Sequence, residues 1–539
     1  MPTLDWIGKK AVLNHHREVP YHLLRCDRNL SAGEPESENL LVQGDNLIAL
    51  KALLPYYAGK VKCIYIDPPY NTGNENWVYN DAVNSPEIRS WLGKVVGTEA
   101  EDLSRHDKWL CMMYPRLTLL RDFLTEDGAI FVSIDDNELF LLKLIMDDIF
   151  GPQNLRSCIT WQRKYSVSNN FKGIATIVDY ILVYSKTSRF VNNLLPRTEE
   201  SIGRYANPDN DPRGPWKPVD YLNQVSPEKR PNLCYDIVNP NTGQIIRNTK
   251  KAWKFEEEVY KQHVKENKLW WGKKGTNTAP SLKLFLSEVR DGMTPHNWWA
   301  HEEAGHTDEA KKEIDAILGP NKFDTPKPSR LIERILQIST DPESLVLDSF
   351  AGSGTTGHAV LSLNKKDGGN RHFILVEMDD EICKTVTSQR LSKVIAGYTN
   401  SRSKDKTVKI EGLGGGFRFC TLSEPLFDEN GNIREAVDFP DLASHVFFIE
   451  TGAPIPKRAT TKTPLLGTHS GSAVYLLYNG ILGDKVPRGG NVLTREVLAG
   501  LPPHDGPKVV YGTGCLLSRQ RLKREGITFR QIPYEVKVS

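Results

Sequence analysis

Apolar runs alternate with helix-spaced segments over the first 150 residues. Asn-Leu-Leu-Val-Gln (39–43) is a short apolar run that stops at Gly44-Asp45, and Asn46 can cap a helix that continues through Ala49, Leu50 and Leu53. Val61 to Ile66 reads as a second strand ending at Asp67-Pro68-Pro69-Tyr70. His106 to Leu124 carries apolar residues at helical spacing, and Gly128 introduces the strand Ala129–Ile134. Strand candidates at Ile159–Trp161 and Tyr180–Tyr184 flank a polar loop, as in a hairpin at a sheet edge. From about 190 to 320 only short elements are expected among Pro, Asn, Lys and Trp. Strands return at Ser344–Asp348 and His372–Glu377, so one α/β sheet is built from two separated stretches of chain.

Four regions are expected: 1–190 and 321–398 as the two halves of the sheet, 191–320 as an insertion, and 399–539 as a small separate α/β domain. The last follows a Ser/Lys-rich linker and a Gly-rich turn at Gly412–Gly416. Its expected strands are His445–Ile449, Ala473–Leu477 and Lys508–Tyr511, with helices near Thr494 and Ser518.

Composition narrows the class more than the chemistry. Hydrophobic residues make up 39% and charged residues 25%, as in folded globular proteins. No stretch approaches the ~20 apolar residues of a membrane span, so no membrane partner and a cytoplasmic location are expected. With 69 Lys and Arg against 67 Asp and Glu, any nucleic-acid surface must be local. Eight scattered cysteines without a Cys-x-x-Cys pair are read as reduced buried thiols, and no metal site is expected.

Asp67-Pro68-Pro69-Tyr70, directly after a strand, suits one difficult task. An exocyclic amine on a nucleobase is a poor nucleophile because its lone pair is delocalised into the ring. The Asp67 carboxylate and the Pro68 carbonyl, held by the rigid Pro69 ring, are two acceptors for its two hydrogens, and Tyr70 can stack on a base turned out of the duplex. A plain Asp-Pro-Pro turn is the competing reading, and context decides between them.

That context is Asp348-Ser-Phe350-Ala351-Gly352-Ser-Gly354-Thr355-Thr356-Gly357, a small-residue loop between a strand and a helix. It contains a formal GxGxxG match with Glu377 twenty positions on, so a nicotinamide dehydrogenase is a rival. Asp348 and Phe350 before the first glycine favour a cationic amino group over a pyrophosphate there, whereas Glu377 can take ribose hydroxyls in either reading. No GxxxxGK loop occurs, so a nuclease or translocase partner would lie on another chain.

Taken together, Leu-Val-Gln-Gly-Asp-Asn-Leu (41–47), Ile-Asp-Pro-Pro-Tyr-Asn-Thr-Gly (66–73), Gly-Ala-Ile-Phe-Val-Ser-Ile-Asp-Asp (128–136), Phe-Asp-Thr-Pro-Lys-Pro (323–328) and the Asp348 loop resemble the amino-methyltransferases of restriction-modification systems. The resemblance is nearest to the modification subunits of type III systems, with motifs in the permuted, beta-class order, over roughly residues 4 to 395. It implies a Rossmann-like, seven-stranded, mostly parallel sheet, S-adenosylmethionine as cofactor, and adenine N6 in double-stranded DNA as target. Cytosine N4 is the alternative acceptor, and a non-catalytic DNA-binding subunit the alternative role. Transfer to RNA or to a glutamine side chain is a lesser alternative.

By the same resemblance Asp67, Pro68, Pro69 and Tyr70 serve the target amine. Asp348, Phe350, Ala351, Gly352, Gly354, Thr355 and Glu377 serve the cofactor, joined by Asp45 at its adenine and by Thr325 and Lys327 on its methionine side. A homodimer and a separate nuclease or translocase subunit are the partners it leaves to test.

Between Arg247 and Lys274 nine basic residues stand against four Glu, interleaved with tryptophans. Lys250, Lys251, Trp253, Lys273 and Lys274 are DNA-contact candidates there, and Trp161 is a candidate wall of the flipped-base pocket. Solvated lysines over buried tryptophans are the competing reading, and Trp298-Trp299 are expected in the core.

Overall fold

The computed structural model describes residues 4–72, 93–94, 104–166, 173–247, 250–403, 406–430, 432–479, 485–486 and 488–532. Gly73, the last residue of the quoted 66–73 motif, and residues 167–172 of the expected polar loop lie outside them. The described chain falls into two compact units, residues 1–193 with 296–539, and Leu194–Pro295.

The larger unit is organised on one sheet whose strands, in chain order, are β1 (His22–Gly33), β2 (Leu40–Gln43), β3 (Val61–Ile66), β4 (Leu124–Ile134), β5 (Leu155–Gln162), β6 (Val178–Ser185), β7 (Trp298–Trp299), β8 (Leu345–Asp348), β9 (His372–Glu377) and β10 (Gly416–Pro425). Their spatial order is β1-β10-β2-β9-β8-β3-β4-β6-β5-β7. The expected seven strands are the contiguous middle, β2-β9-β8-β3-β4-β6-β5, parallel from β2 to β4 and antiparallel at β6. Three further strands extend the edges, so the sheet has ten strands where the resemblance implied seven.

Helices α1 (Asn46–Tyr57), α2 (Arg105–Phe123), α3 (Leu139–Phe150) and α4 (Thr355–Asp367) pack on this sheet. Leu50, Leu53, Ile64, Leu117, Leu120, Ile130 and Val132 are all fully buried in its main core. Asp45, not Asn46, caps α1: its carboxylate accepts from the Leu47 and Ile48 amides, and Asn46 is the first helical residue.

Several boundaries differ from the sequence expectation. The inserted unit closes at Pro295 rather than 320, because Trp298–Trp299 pairs in parallel with Thr160–Trp161 and returns the chain to the main sheet. Trp299 is buried as expected, but Trp298 is 46% exposed. The stretch after 398 is not a separate domain either. Residues 416–425 enter the main sheet between β1 and β2, and Tyr21 and Leu23 share a core with Leu442, Val446 and Phe447.

The Ser/Lys-rich linker forms a hairpin of Gly397–Ser403 and Lys406–Glu411, the second strand alternating Lys-Thr-Val-Lys-Ile-Glu. The expected strand at His445–Ile449 is helix α5 (Phe439–Thr451). Asp438 caps it, Pro440 sits in its first turn and Gly452 ends it at φ 68°, while Leu442, Ala443, Val446 and Phe447 bury a face at helical spacing. The strands Ser472–Leu476 and Lys508–Gly512 and the helices Arg495–Gly500 and Arg519–Arg524 stand where the pattern placed them.

Cys26 and Cys420, register partners on β1 and β10, form a disulfide, so the reading of all eight cysteines as free thiols fails for this pair. Opposed positions on neighbouring strands bring two side chains together whatever their distance in sequence.

In the inserted unit Trp216–Asp220, Leu269–Trp270 and Ser281–Phe285 form a three-stranded sheet over a core of Tyr221, Trp253 and Trp271. Lys283 is buried there, paired with Asp209 and, at 3.1 Å, with Asp211.

Candidate active site at the switch point of the sheet

The site follows from strand order. β8 leads through α4 to β9 on one side, and β3 leads through α2 to β4 on the other, so the chain departs in opposite directions from two adjacent parallel strands. A crevice opens outside the carboxyl ends of such a pair, where an open α/β sheet places its ligands. Asp67 follows β3 and Asp348 ends β8, and one cleft is lined by both, together with Tyr65, Phe323, Thr325, Lys327, Phe350, Ala351, Gly352 and Thr355. Asp67 and Asp348, 281 positions apart in the sequence, therefore meet in one crevice.

On the β3 side Asp67 accepts from the Lys327 ammonium through Oδ2, while its Oδ1 is buried with no hydrogen-bond partner. The same ammonium lies 5.1 Å from the Tyr70 ring centroid, a cation over an aromatic face. Burial, followed by the neighbouring Asp67 charge, raises the Tyr70 hydroxyl pKa well above its ordinary value, so Tyr70 offers a neutral ring. Pro68 is buried. The Pro69 carbonyl accepts from Trp109 Nε1 of α2 at 2.7 Å, which anchors the turn from behind.

On the β8 side the glycines perform the expected backbone work. Gly352 and Gly354 have φ 51° and 75°, in the left-handed region that a side chain disfavours, and Gly354 caps α4. The acids here are engaged by the loop itself. Asp348 Oδ1 accepts from the Phe350 amide at 3.0 Å and Oδ2 from Thr356 Oγ1 at 2.6 Å. Burial pushes the Asp348 carboxyl up to about 7 despite these bonds. Glu377, 2% exposed, accepts from the Gly352 and Asp379 amides at 2.8 and 2.9 Å. Thr355 Oγ1 donates to the Lys327 carbonyl and accepts from Arg390. Asp45 is partly committed too, since Arg116 bridges its Oδ2 at 3.2 Å while Oδ1 caps α1.

Further side chains back the site. Asn71, φ 55°, donates to the fully buried Glu138, which also bonds His106. Asp179 on β6 is paired with Arg163 at 2.8 Å, and burial raises its carboxyl to about 6. Nothing in local spacing marks Glu138 or Asp179. Only register across the sheet, where Trp161 faces Asp179 and Ile134 faces Tyr180, carries Asp179 to the end of the sheet where Asp67 sits.

The DNA-contact candidates divide. Trp161 is fully buried with its Nε1 donating to the Gly305 carbonyl at 2.9 Å, so it is core and walls no open pocket. Trp253 is likewise buried, donating to the Tyr235 carbonyl. An indole whose only donor is satisfied inside a core has no face to offer DNA. Lys250, Lys273 and Lys274 are exposed and Lys251 half-exposed. A cavity of about 250 Å³ lined by Asp209, Trp270 and Lys283 lies within the same inserted unit. Among the described residues no group of His, Cys, Asp and Glu is arranged to hold a metal ion, and no helix is long and apolar enough to cross a membrane.

A parallel sheet with an acidic aromatic turn and a glycine loop at its switch point is the architecture of the α/β methyltransferase fold class. Residues 61–388 match the DNA methylase family of N6 and N4 methyltransferases, and the chain belongs to that family. It is 36% identical over 408 residues to the type III restriction-modification enzyme StyLTI Mod subunit of Salmonella typhimurium, an alignment covering 73% of this chain and 60% of that one. It is 34% identical to the EcoPI Mod subunit of Escherichia phage P1, over 76% of this chain and 70% of the relative. With the type II methyltransferase M.KpnI of Klebsiella pneumoniae the identity is 31%, over 66% and 84% respectively. The chain thus spans 60% to 70% of the length of these two Mod subunits.

Proposed function

We propose that this chain transfers a methyl group from S-adenosylmethionine to N6 of an adenine turned out of double-stranded DNA, as the modification component of a restriction-modification or phage-defence system. The observation that carries the reading is Asp67 Oδ1, a buried carboxylate oxygen without a partner, at the switch-point crevice beside Tyr70. An unsatisfied buried acceptor costs about 1–3 kcal/mol and persists where a ligand donor completes it. An exocyclic amine has two such donors, one for Asp67 and one for the Pro68 carbonyl. Drawing on both hydrogens pulls electron density back to the nitrogen and favours its pyramidal, nucleophilic form.

Lys327 now holds part of this place, with a nitrogen that donates to Asp67 and lies over the Tyr70 ring. In the proposal the base amine takes over both contacts and Lys327 withdraws toward the Thr325 side of the cleft. The residues present fit the cofactor. The cleft has a left-handed glycine backbone on one wall, and Ser349 Oγ on the same loop is buried without a partner. Thr325, Lys327, Phe350, Ala351, Gly352, Gly354 and Thr355 would hold it, with Glu377 placed at its ribose by the resemblance noted above. When bound, the cofactor supplies a methyl group on a sulfonium, so neither a metal nor a covalent enzyme adduct is required. Asp348 braces the loop in this reading, and Asp45 reaches the cofactor adenine only by sharing its carboxylate with the α1 cap and Arg116.

The inserted unit, with Lys250, Lys251, Lys273 and Lys274, is assigned to DNA contact, and cleavage to a separate nuclease or translocase subunit. Asp at position 67 supports adenine over cytosine, through the resemblance noted above. Mass spectrometry of nucleosides from DNA incubated with the protein and S-adenosylmethionine tests the reading. N6-methyladenine is expected, N4-methylcytosine would change the acceptor, and no methylated nucleoside would overturn the assignment.

A further inference from the structure

We propose that Glu138 and Asn71 are positioning residues for the Asp67–Tyr70 turn, holding it from behind while its front faces the cleft. The inference rests on the methyl-transfer reading for its kinetic consequence, but not for its structural one.

Asn71 directly follows the tetrapeptide and adopts φ 55°. Asparagine visits this left-handed region more readily than most residues but still at a cost, so something must hold it there. Its side chain is the handle: 1% exposed, Nδ2 donates to Glu138 Oε1 and, at 3.2 Å, to the Arg105 carbonyl. Glu138, between β4 and α3, is fully buried, and the same Oε1 bonds His106 Nδ1 at 2.6 Å. Its Oε2 is buried with no partner.

A carboxylate is expensive to bury, and more so with one oxygen unsatisfied. The bonds that engage it here go to the residue after the catalytic turn and to the start of α2. That helix also supplies Trp109, whose indole fixes the Pro69 carbonyl. The turn is thus pinned at Pro69 by one residue and at Asn71 by another, so that Tyr70 projects between the pins and Asp67 stands just ahead of them. Of the turn, Asp67 lines the cleft, whereas Glu138 and Asn71 do not and reach it through the turn's backbone.

Release of Asn71 lets the backbone leave the left-handed region and swing Tyr70 and Asp67 out of register with the amine. A misplacement of about 1 Å remote from the chemistry can cost about 10²-fold in rate. The test uses the full chain with S-adenosyl-[methyl-³H]methionine and unmethylated genomic DNA. Under single-turnover conditions Glu138→Ala and Asn71→Ala should each fall about 10²-fold in rate. Calorimetry should give an unchanged cofactor affinity. Glu138→Gln, which keeps an acceptor oxygen of the same shape, should recover most of the rate.

Hydrogen exchange gives a readout independent of activity. The Tyr70, Asn71 and Thr72 amides should exchange faster in Glu138→Ala, with those of the 348–357 loop unchanged. A folded Glu138→Ala variant with wild-type rate and exchange overturns the proposal, as does a Glu138→Gln variant as slow as Glu138→Ala. Wild-type protein that transfers no methyl group yet shows the exchange pattern would sink the methyl-transfer reading and leave the anchoring of the turn standing.

Discussion

Asp67 and Asp348 follow neighbouring parallel strands, succeed apolar runs of similar make and face one crevice, yet their carboxylates have opposite fates. Asp348 spends both oxygens on its own loop, on the Phe350 amide and the Thr356 hydroxyl. Asp67 gives one oxygen to the Lys327 ammonium and leaves the other buried and unbonded. Asp348 thereby holds its own loop in shape, whereas in the methyl-transfer reading Asp67, at the cleft, keeps an acceptor for the incoming amine. Residue type and position relative to a strand do not separate these cases; hydrogen-bond accounting does.

The comparison breaks most sharply at Asp67. Asp67→Ala should reduce methyl transfer by about 10²–10³-fold or more while the chain stays folded and still binds the cofactor, since the side chain is assigned to the incoming amine. Transfer at wild-type rate, measured with tritiated cofactor, would end the distinction.

Trp161→Ala should cost about 3–5 kcal/mol of stability through the cavity it leaves in the core. Chemical denaturation checks this, and DNA affinity measured below the transition should not change.

Asp348→Asn sharpens the other half of the comparison. Burial lifts this carboxyl to about 7 in the folded chain against about 3.9 unfolded, so between those values the folded state binds the additional proton. Its contribution is fully present below about pH 4 and is lost as pH rises through 7. Urea unfolding from pH 4 to 8 should show that loss in the wild type, and Asp348→Asn should flatten it. An unchanged slope would show that the group does not titrate there.

The smallest effect is expected in the inserted unit. Lys273→Ala with Lys274→Ala should lower the slope of log affinity against log salt by up to about 2, at about 0.9 per phosphate contact, with single-turnover rate at saturating DNA unaltered.

What could be read along the chain was whatever is local in sequence. The Asp67 turn and the Asp348 loop each sit on a strand with its own signature, and the seven central strands were visible as apolar runs. The apolar run ending at Ile449 reads as a strand because five residues are too few to tell the two periods apart; the helical caps lie at Asp438 and Gly452, outside that window. Trp161 as a pocket wall and Trp253 as a DNA contact could not be told from core tryptophans along the chain, because burial is not a local property. Glu138, Asp179 and the Cys26–Cys420 bridge depend on partners supplied by the fold, and no spacing announces them.

The β1–β10 pairing has a consequence for how the chain is made. β1 joins the sheet only through β10, and 394 residues separate Cys26 from Cys420. As the polypeptide leaves the ribosome, β1 must wait without a neighbour until residues 416–425 have been synthesised. A fragment trimmed at the end of the family match, residue 388, would never meet that neighbour. Such a fragment would carry both halves of the crevice but expose the edges of β1 and β2, and it should aggregate where the whole chain does not.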